Sequence, residues 1–98
     1  MTLPIAFLPE ARAEFDAAAD WYEQQRSGLG ADFIERVQEV LDLIAAHPKI
    51  HAVVFQDIRK AVVQRFPYCV FYREEADQIL VIAVFHSSRD PSIWQGRA

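Results

Sequence analysis

The chain has 98 residues, 52% of them apolar and 24% charged, which fits one folded domain over residues 1–98 and excludes a disordered chain. Ten Lys and Arg against 14 Asp and Glu give a net charge of −4, which argues against capture of nucleic acid as the main work, so no direct nucleic-acid binding is expected. The lone Cys69 has no internal disulfide partner and no Cys/His cluster offers a zinc ligand set, so a reducing cytoplasm with neither metal nor cofactor is the expectation.

The opening MTLPIAFLPEA has no basic residue before a short apolar run broken by two prolines, and reads as neither signal peptide nor membrane span. Leu3 to Leu8 suits an edge strand, because Pro4 cannot donate to a ladder. Pro9 then suits a first helical position, and Ala11, Phe15, Ala18 and Tyr22 form one stripe of an amphipathic helix ending near Arg26. Gly28 fits the left-handed backbone of a helix terminus. A second helix runs from about Gly30 or Ala31 to His47, with Phe33, Val37, Val40, Leu41 and Ile44 on its apolar face and Pro48 just beyond. So short a connection makes the helices antiparallel neighbours.

Composition then shifts to β-branched and aromatic residues. Arg59 to Phe66, Tyr68 to Arg73 and Ile79 to Phe85 read as three strands, the last apolar at every position and therefore central. The expected fold is α+β in the order β-α-α-β-β-β, an antiparallel sheet packed against an αα-hairpin through Phe15, Tyr22, Phe33, Val37, Leu41 and Ile44. Charge divides along the chain: residues 1–46 hold nine acids and three bases, residues 47–98 five acids and seven bases.

None of the common catalytic signatures occurs. What stands out is a set of polar groups at strand ends. Arg59 and Arg65, an even number of residues apart, are expected to leave one face of the sheet, where they either solvate it or pair with helix acids. His86 ends the last strand as a structural or titrating group, and Arg89 follows. Tyr68 and Tyr72 share a face as core or interface anchors, and Trp94 reads as an anchor for the tail.

In combination, Ala11, the run Trp21-Tyr22-Glu23-Gln24-Gln25, Gly28-Leu29-Gly30 with Phe33, Pro48, Ile58-Arg59, Arg65-Phe66-Pro67-Tyr68, Phe71-Tyr72, His86, Arg89-Asp90-Pro91, Trp94 and Arg97 make the chain similar to the ParE branch of the RelE/ParE toxin superfamily. The FPY turn and the HxxRDPxxW ending are its most specific pieces. The resemblance implies the toxin half of a type II toxin–antitoxin module, held by an adjacently encoded, ParD-like or related antitoxin whose disordered half folds on the toxin.

Two activities are implied by the superfamily. ParE-like members inhibit DNA gyrase without a reaction of their own; RelE-like members cut messenger RNA in the ribosomal decoding site with Lys, Arg and Tyr side chains. The chain lacks a concentrated basic set, since Lys49 and Lys60 are its only lysines, and an acidic protein is poorly steered to a polyanionic ribosome. Gyrase inhibition is the favoured expectation, with Arg59, Arg65, Tyr68, His86, Arg89, Trp94 and Arg97 as target-binding candidates and no catalytic residue. A ribosome-dependent endoribonuclease and a non-toxic, antitoxin-binding relic are the alternatives.

Overall fold

In the computed structural model, which describes residues 2–98, the chain runs β1 (Ile5–Phe7), α1 (Pro9–Gln25), α2 (Leu29–Ala46), β2 (Val53–Phe55), β3 (Ile58–Val62), β4 (Tyr68–Glu74), β5 (Ile79–His86) and α3 (Ser92–Gln95). The α+β class and the helical hairpin agree with the sequence reading, while β2 and α3 are additions to it. No described helix is long and apolar enough to cross a membrane.

The hairpin turn depends on one carboxylate and two glycines. Gly28 takes φ 88°, and Glu23 accepts the backbone N–H of Gly28 at 2.9 Å and of Gly30 at 3.0 Å. Those bonds use donors at the start of α2 that have no partner within the helix. A Cβ on residue 30 would lie 2.6 Å from the Ala19 carbonyl oxygen, so glycine there allows α1 and α2 to approach closely.

The strand order is β1-β5-β4-β3-β2. β1 pairs with β5 in parallel and the other pairs are antiparallel, so the sheet is mixed rather than wholly antiparallel. Apolar patterning reports which faces of a strand are buried and carries no information on a neighbour's direction.

The strand expected over Arg59 to Phe66 stops at Val62. Beyond it Arg65 adopts φ 69°, and the Val63 N–H donates to the Tyr68 carbonyl at 2.9 Å to close the turn that holds Pro67. Arg59 and Arg65 therefore do not share a sheet face, because side-chain parity holds only within an unbroken strand.

Both faces of the sheet carry a core. Phe15, Phe33, Val37, Leu41 and Ile44 are buried on the hairpin side against Val70, Tyr72, Ile79, Val81 and Val84, with Tyr22 only partly buried at the margin. Ile58, Cys69, Phe71, Ile82, Ala83 and Phe85 form the opposite core, which Trp94 completes. Trp94 stacks on Phe71 with ring centroids 4.0 Å apart, so it does anchor the tail.

The loop before β2 is tied from below. Tyr72 donates its hydroxyl to the Pro48 carbonyl at 2.8 Å, and Arg59 Nη1 donates to the His51 carbonyl at 2.6 Å. His51 Nε2 is buried with no hydrogen-bond partner, and burial together with the Arg59 charge lowers the pKa of the ring.

Leu41→Ala is expected to cost about 2–5 kcal/mol, read by urea unfolding, because it empties a fully enclosed site; a loss below about 0.5 kcal/mol contradicts this packing. His51 is neutral in the folded chain at a pH where the unfolded chain already binds a proton. Its contribution to stability is complete above the ordinary value of 6.5 and falls as the pH drops below it. His51→Phe should therefore flatten the acid loss of stability measured between neutral and mildly acidic pH, and an unchanged slope contradicts the assignment.

Candidate functional site

The register between β4 and β5 shifts beside Ile82: Phe71 faces Ala83, whereas Tyr72 faces Val81. This bulge inverts side-chain parity in the second half of β5, returning Val84 to the hairpin side with Val81. β1 pairs only with Ile79 to Val81, so the later residues of β5 lack a strand neighbour on that edge. Side chains supply the missing partners. Glu14 Oε1 accepts the Val84 N–H at 3.2 Å, and Arg97 Nη1 donates to the Ile82 carbonyl at 3.2 Å.

Glu14 and Arg97 also bind each other in bidentate fashion, at 3.0 and 2.8 Å, with both side chains only 13% exposed. Hydrogen bonding to Glu14 raises the Arg97 pKa further, so the guanidinium stays charged. Arg89 Nη1 approaches the same carboxylate at 3.5 Å, and its guanidinium carbon sits 4.2 Å from the centroid of the Phe85 ring.

Above this floor two adjoining hollows of about 280 and 420 Å³ lie between α1 and the end of β5 and share Trp21, Tyr68 and His86. Trp21 is 56% exposed. Tyr68 meets the His86 ring edge-on at 5.3 Å, and burial raises its phenol pKa, so it remains a donor at neutral pH. His86 Nδ1 accepts the Ser88 N–H at 3.1 Å, and the Ser88 hydroxyl lies 2.8 Å away. That bond leaves the proton of the neutral imidazole on Nε2.

The structure thus gathers Tyr68, His86 and Arg89 at one cleft, with Arg97 beneath it as a brace. Trp94 belongs to the opposite face, Arg59 braces the loop before β2, and Arg65 lies near Arg26, Asp32 and Glu35 at the start of α2. Glu14 and Trp21 were absent from the sequence-derived candidates. Glu14 falls off the apolar stripe of its helix, where nothing local marks a partner as distant as Arg97, while a tryptophan off that stripe is a usable signal of exposed apolar surface.

Chemically, the cleft presents an indole, a phenol, an imidazole Nε2–H and a guanidinium, an arrangement suited to holding carbonyl and carboxylate groups of a partner. Its histidine pairs with a serine and, among the described residues, with no carboxylate.

Glu14→Ala and Arg97→Ala are each expected to cost about 3 kcal/mol, since each removes the bidentate partner of a nearly buried charge. The double variant should lose much less than the sum, and additive losses in denaturant unfolding would show that the two groups do not act as a pair.

Among known proteins, the family profile for the ParE toxin of the type II toxin-antitoxin system, parDE, matches residues 5–91. No curated protein sequence matches the chain. A solved structure described as the chromosomal ParDE TA system from P. aeruginosa shares the fold, with a TM-score of 0.75 and 15% identity over 87% of this chain and 96% of that one. The profile spans most of the chain and the fold agrees with it, so this protein belongs to the ParE toxin family of type II toxin–antitoxin systems.

Proposed function

We propose that this chain acts as a toxin by binding DNA gyrase and blocking its cycle, without catalysing a reaction, and that a cognate antitoxin encoded beside it neutralises it in the cytoplasm. Family membership supports the toxin role. The observation that carries the choice of target is the chemistry of the cleft: Trp21, Tyr68 and Arg89 form a recognition surface, and His86 spends Nδ1 on Ser88 rather than on a carboxylate that would poise it as a base. Cleaving RNA requires stabilising a developing phosphorane charge, and the cation on this cleft, Arg89, already shares Glu14.

Induction of the wild type and of Trp21→Ala, Arg89→Ala and His86→Ala variants, read by supercoiling and DNA-cleavage assays with purified gyrase, tests the proposal. Trp21→Ala and Arg89→Ala should each weaken inhibition about tenfold or more, as expected for an exposed aromatic and an arginine anchor, and His86→Ala should weaken it less. Removing the segment from Asp90 onward is a poor test, because it deletes Trp94 and Arg97 and with them part of the core. Transcripts cut at ribosomal A sites with gyrase unaffected would overturn the reading in favour of an endoribonuclease. A wild-type chain that binds its antitoxin but harms neither target would make it a relic.

A further inference from the structure

The larger of the two hollows beside α1, about 420 Å³, is walled by rings: Trp21, Tyr22, Pro67, Tyr68 and His86 line it. Trp21 meets Tyr22 at 5.1 Å, Tyr22 meets Tyr68 at 6.1 Å and Tyr68 meets His86 at 5.3 Å, so the aromatic rings form a continuous row. The row is fixed in advance. Tyr22 and Tyr68 each pack on the fully buried Phe33, at 5.2 and 5.1 Å. Hydrogen-bonding capacity along the row is dominated by donors. The Trp21 indole, both phenols, His86 Nε2 and the guanidinium of Arg89 in the adjoining hollow form no hydrogen bond among the described residues, and each reaches solvent. Burial raises the pKa of both phenols, so each keeps its proton at neutral pH. Glu14, the carboxylate that borders them, is already committed to Arg97 and to the Val84 N–H. Such a surface suits a partner rich in acceptors and poor in donors.

We propose that this hollow receives an extended, proline-bearing segment of the gyrase target, a proline ring lying on the row of Trp21 and Tyr68 while a neighbouring carboxylate meets Arg89. The inference rests on the gyrase reading of the cleft and adds the kind of chain the cleft selects. Proline carries a carbonyl and no N–H, and a polyproline II segment leaves its carbonyls free of internal bonds, which matches a surface of donors. Aromatic-lined grooves suit such segments, whose stiffness lowers the ordering cost of binding. Charge favours the same partner. Arg89 has one ion-pair partner, Glu14 at 3.5 Å, and its remaining N–H groups are available to a second carboxylate. Stacking of a nucleic-acid base on Trp21 is opposed by α1, whose five acids, Glu10, Glu14, Asp16, Asp20 and Glu23, face a chain of phosphates with Arg12 as their helix's one base.

Titration of the full-length, isotope-labelled chain with short blocked peptides, followed by NMR at the indole N–H signals, decides the matter. Trp21 and Trp94 are the only tryptophans, and Trp94 lies in the opposite core, so its signal serves as the reference. A peptide of prolines flanking one glutamate should shift the Trp21 signal, leave that of Trp94 in place, and at saturation restore supercoiling by gyrase in the presence of the chain. Replacing its prolines by alanine should weaken binding about tenfold or more. Replacing its glutamate by lysine should weaken binding to the wild type to a similar degree and alter binding to Arg89→Ala less than about twofold, with the preference for proline retained and folding checked by circular dichroism. An alanine peptide that binds equally well, a shift confined to Trp94, or a charge preference that survives in Arg89→Ala would overturn the assignment, while gyrase inhibition that still depends on Trp21 would leave the gyrase reading intact. A wild-type chain that binds the proline peptide yet spares gyrase would overturn the gyrase reading and leave the selectivity of the hollow standing. An oligothymidylate that shifts the Trp21 signal at lower concentration than the peptide does would assign the hollow to nucleic acid instead.

Discussion

The carboxylate of Glu14 joins three parts of the molecule that sequence separates widely. It sits on α1, accepts the Val84 N–H on the edge of β5 that β1 stops short of, and holds Arg97 from the end of the chain, which in turn caps the carbonyl of Ile82 on that edge. Unpaired backbone groups inside a fold cost more than an ordinary hydrogen bond returns, so a strand that outruns its neighbour beneath a helix is tolerable only with such partners. The same contact brings the tail back over the sheet, where Trp94 closes the second core. A domain of this size has little burial to spare, and without that closure one sheet face would stand open.

The position of the cleft follows from this arrangement. β1 ends at Phe7, the bulge turns the last residues of β5, and regular pairing along that edge gives way to side chains. Edges of this kind attract further strands unless they are covered or charged, and here α1, Arg89 and Arg97 crowd the approach. The paired strands supply the backbone frame beneath the cleft, and Trp21, with its ring edge-on to Tyr22, stands exposed at its rim.

Charge is divided between structure and surface in the same way. Most acids of the first half lie on the exposed sides of the helices, but Glu14 and Glu23 hold the tail and the hairpin turn. The basic residues of the second half likewise separate: Arg59, Arg73 and Arg97 are committed to internal contacts, while Lys60 and Arg89 line surface hollows on the two sides of β5.

By itself the sequence determined both long helices, their short connection, the three main strands, the doubly buried character of β5 and the packing role of Trp94. These depend on local periodicity, on turn chemistry at Gly28 and Pro67, and on side-chain size, all of which act over a few neighbouring residues. Val53 to Phe55 escaped because three residues are too few to show a period, and the two-residue turn at Gln56 and Asp57 lacks the usual glycine. The parallel pairing of β1, the bulge at Ile82, the pairing of Glu14 with Arg97 and the separation of Arg59 from Arg65 were decided only by the tertiary structure. Each depends on which distant backbone groups need partners once the sheet is assembled, and such needs arise between elements, beyond the reach of any local pattern.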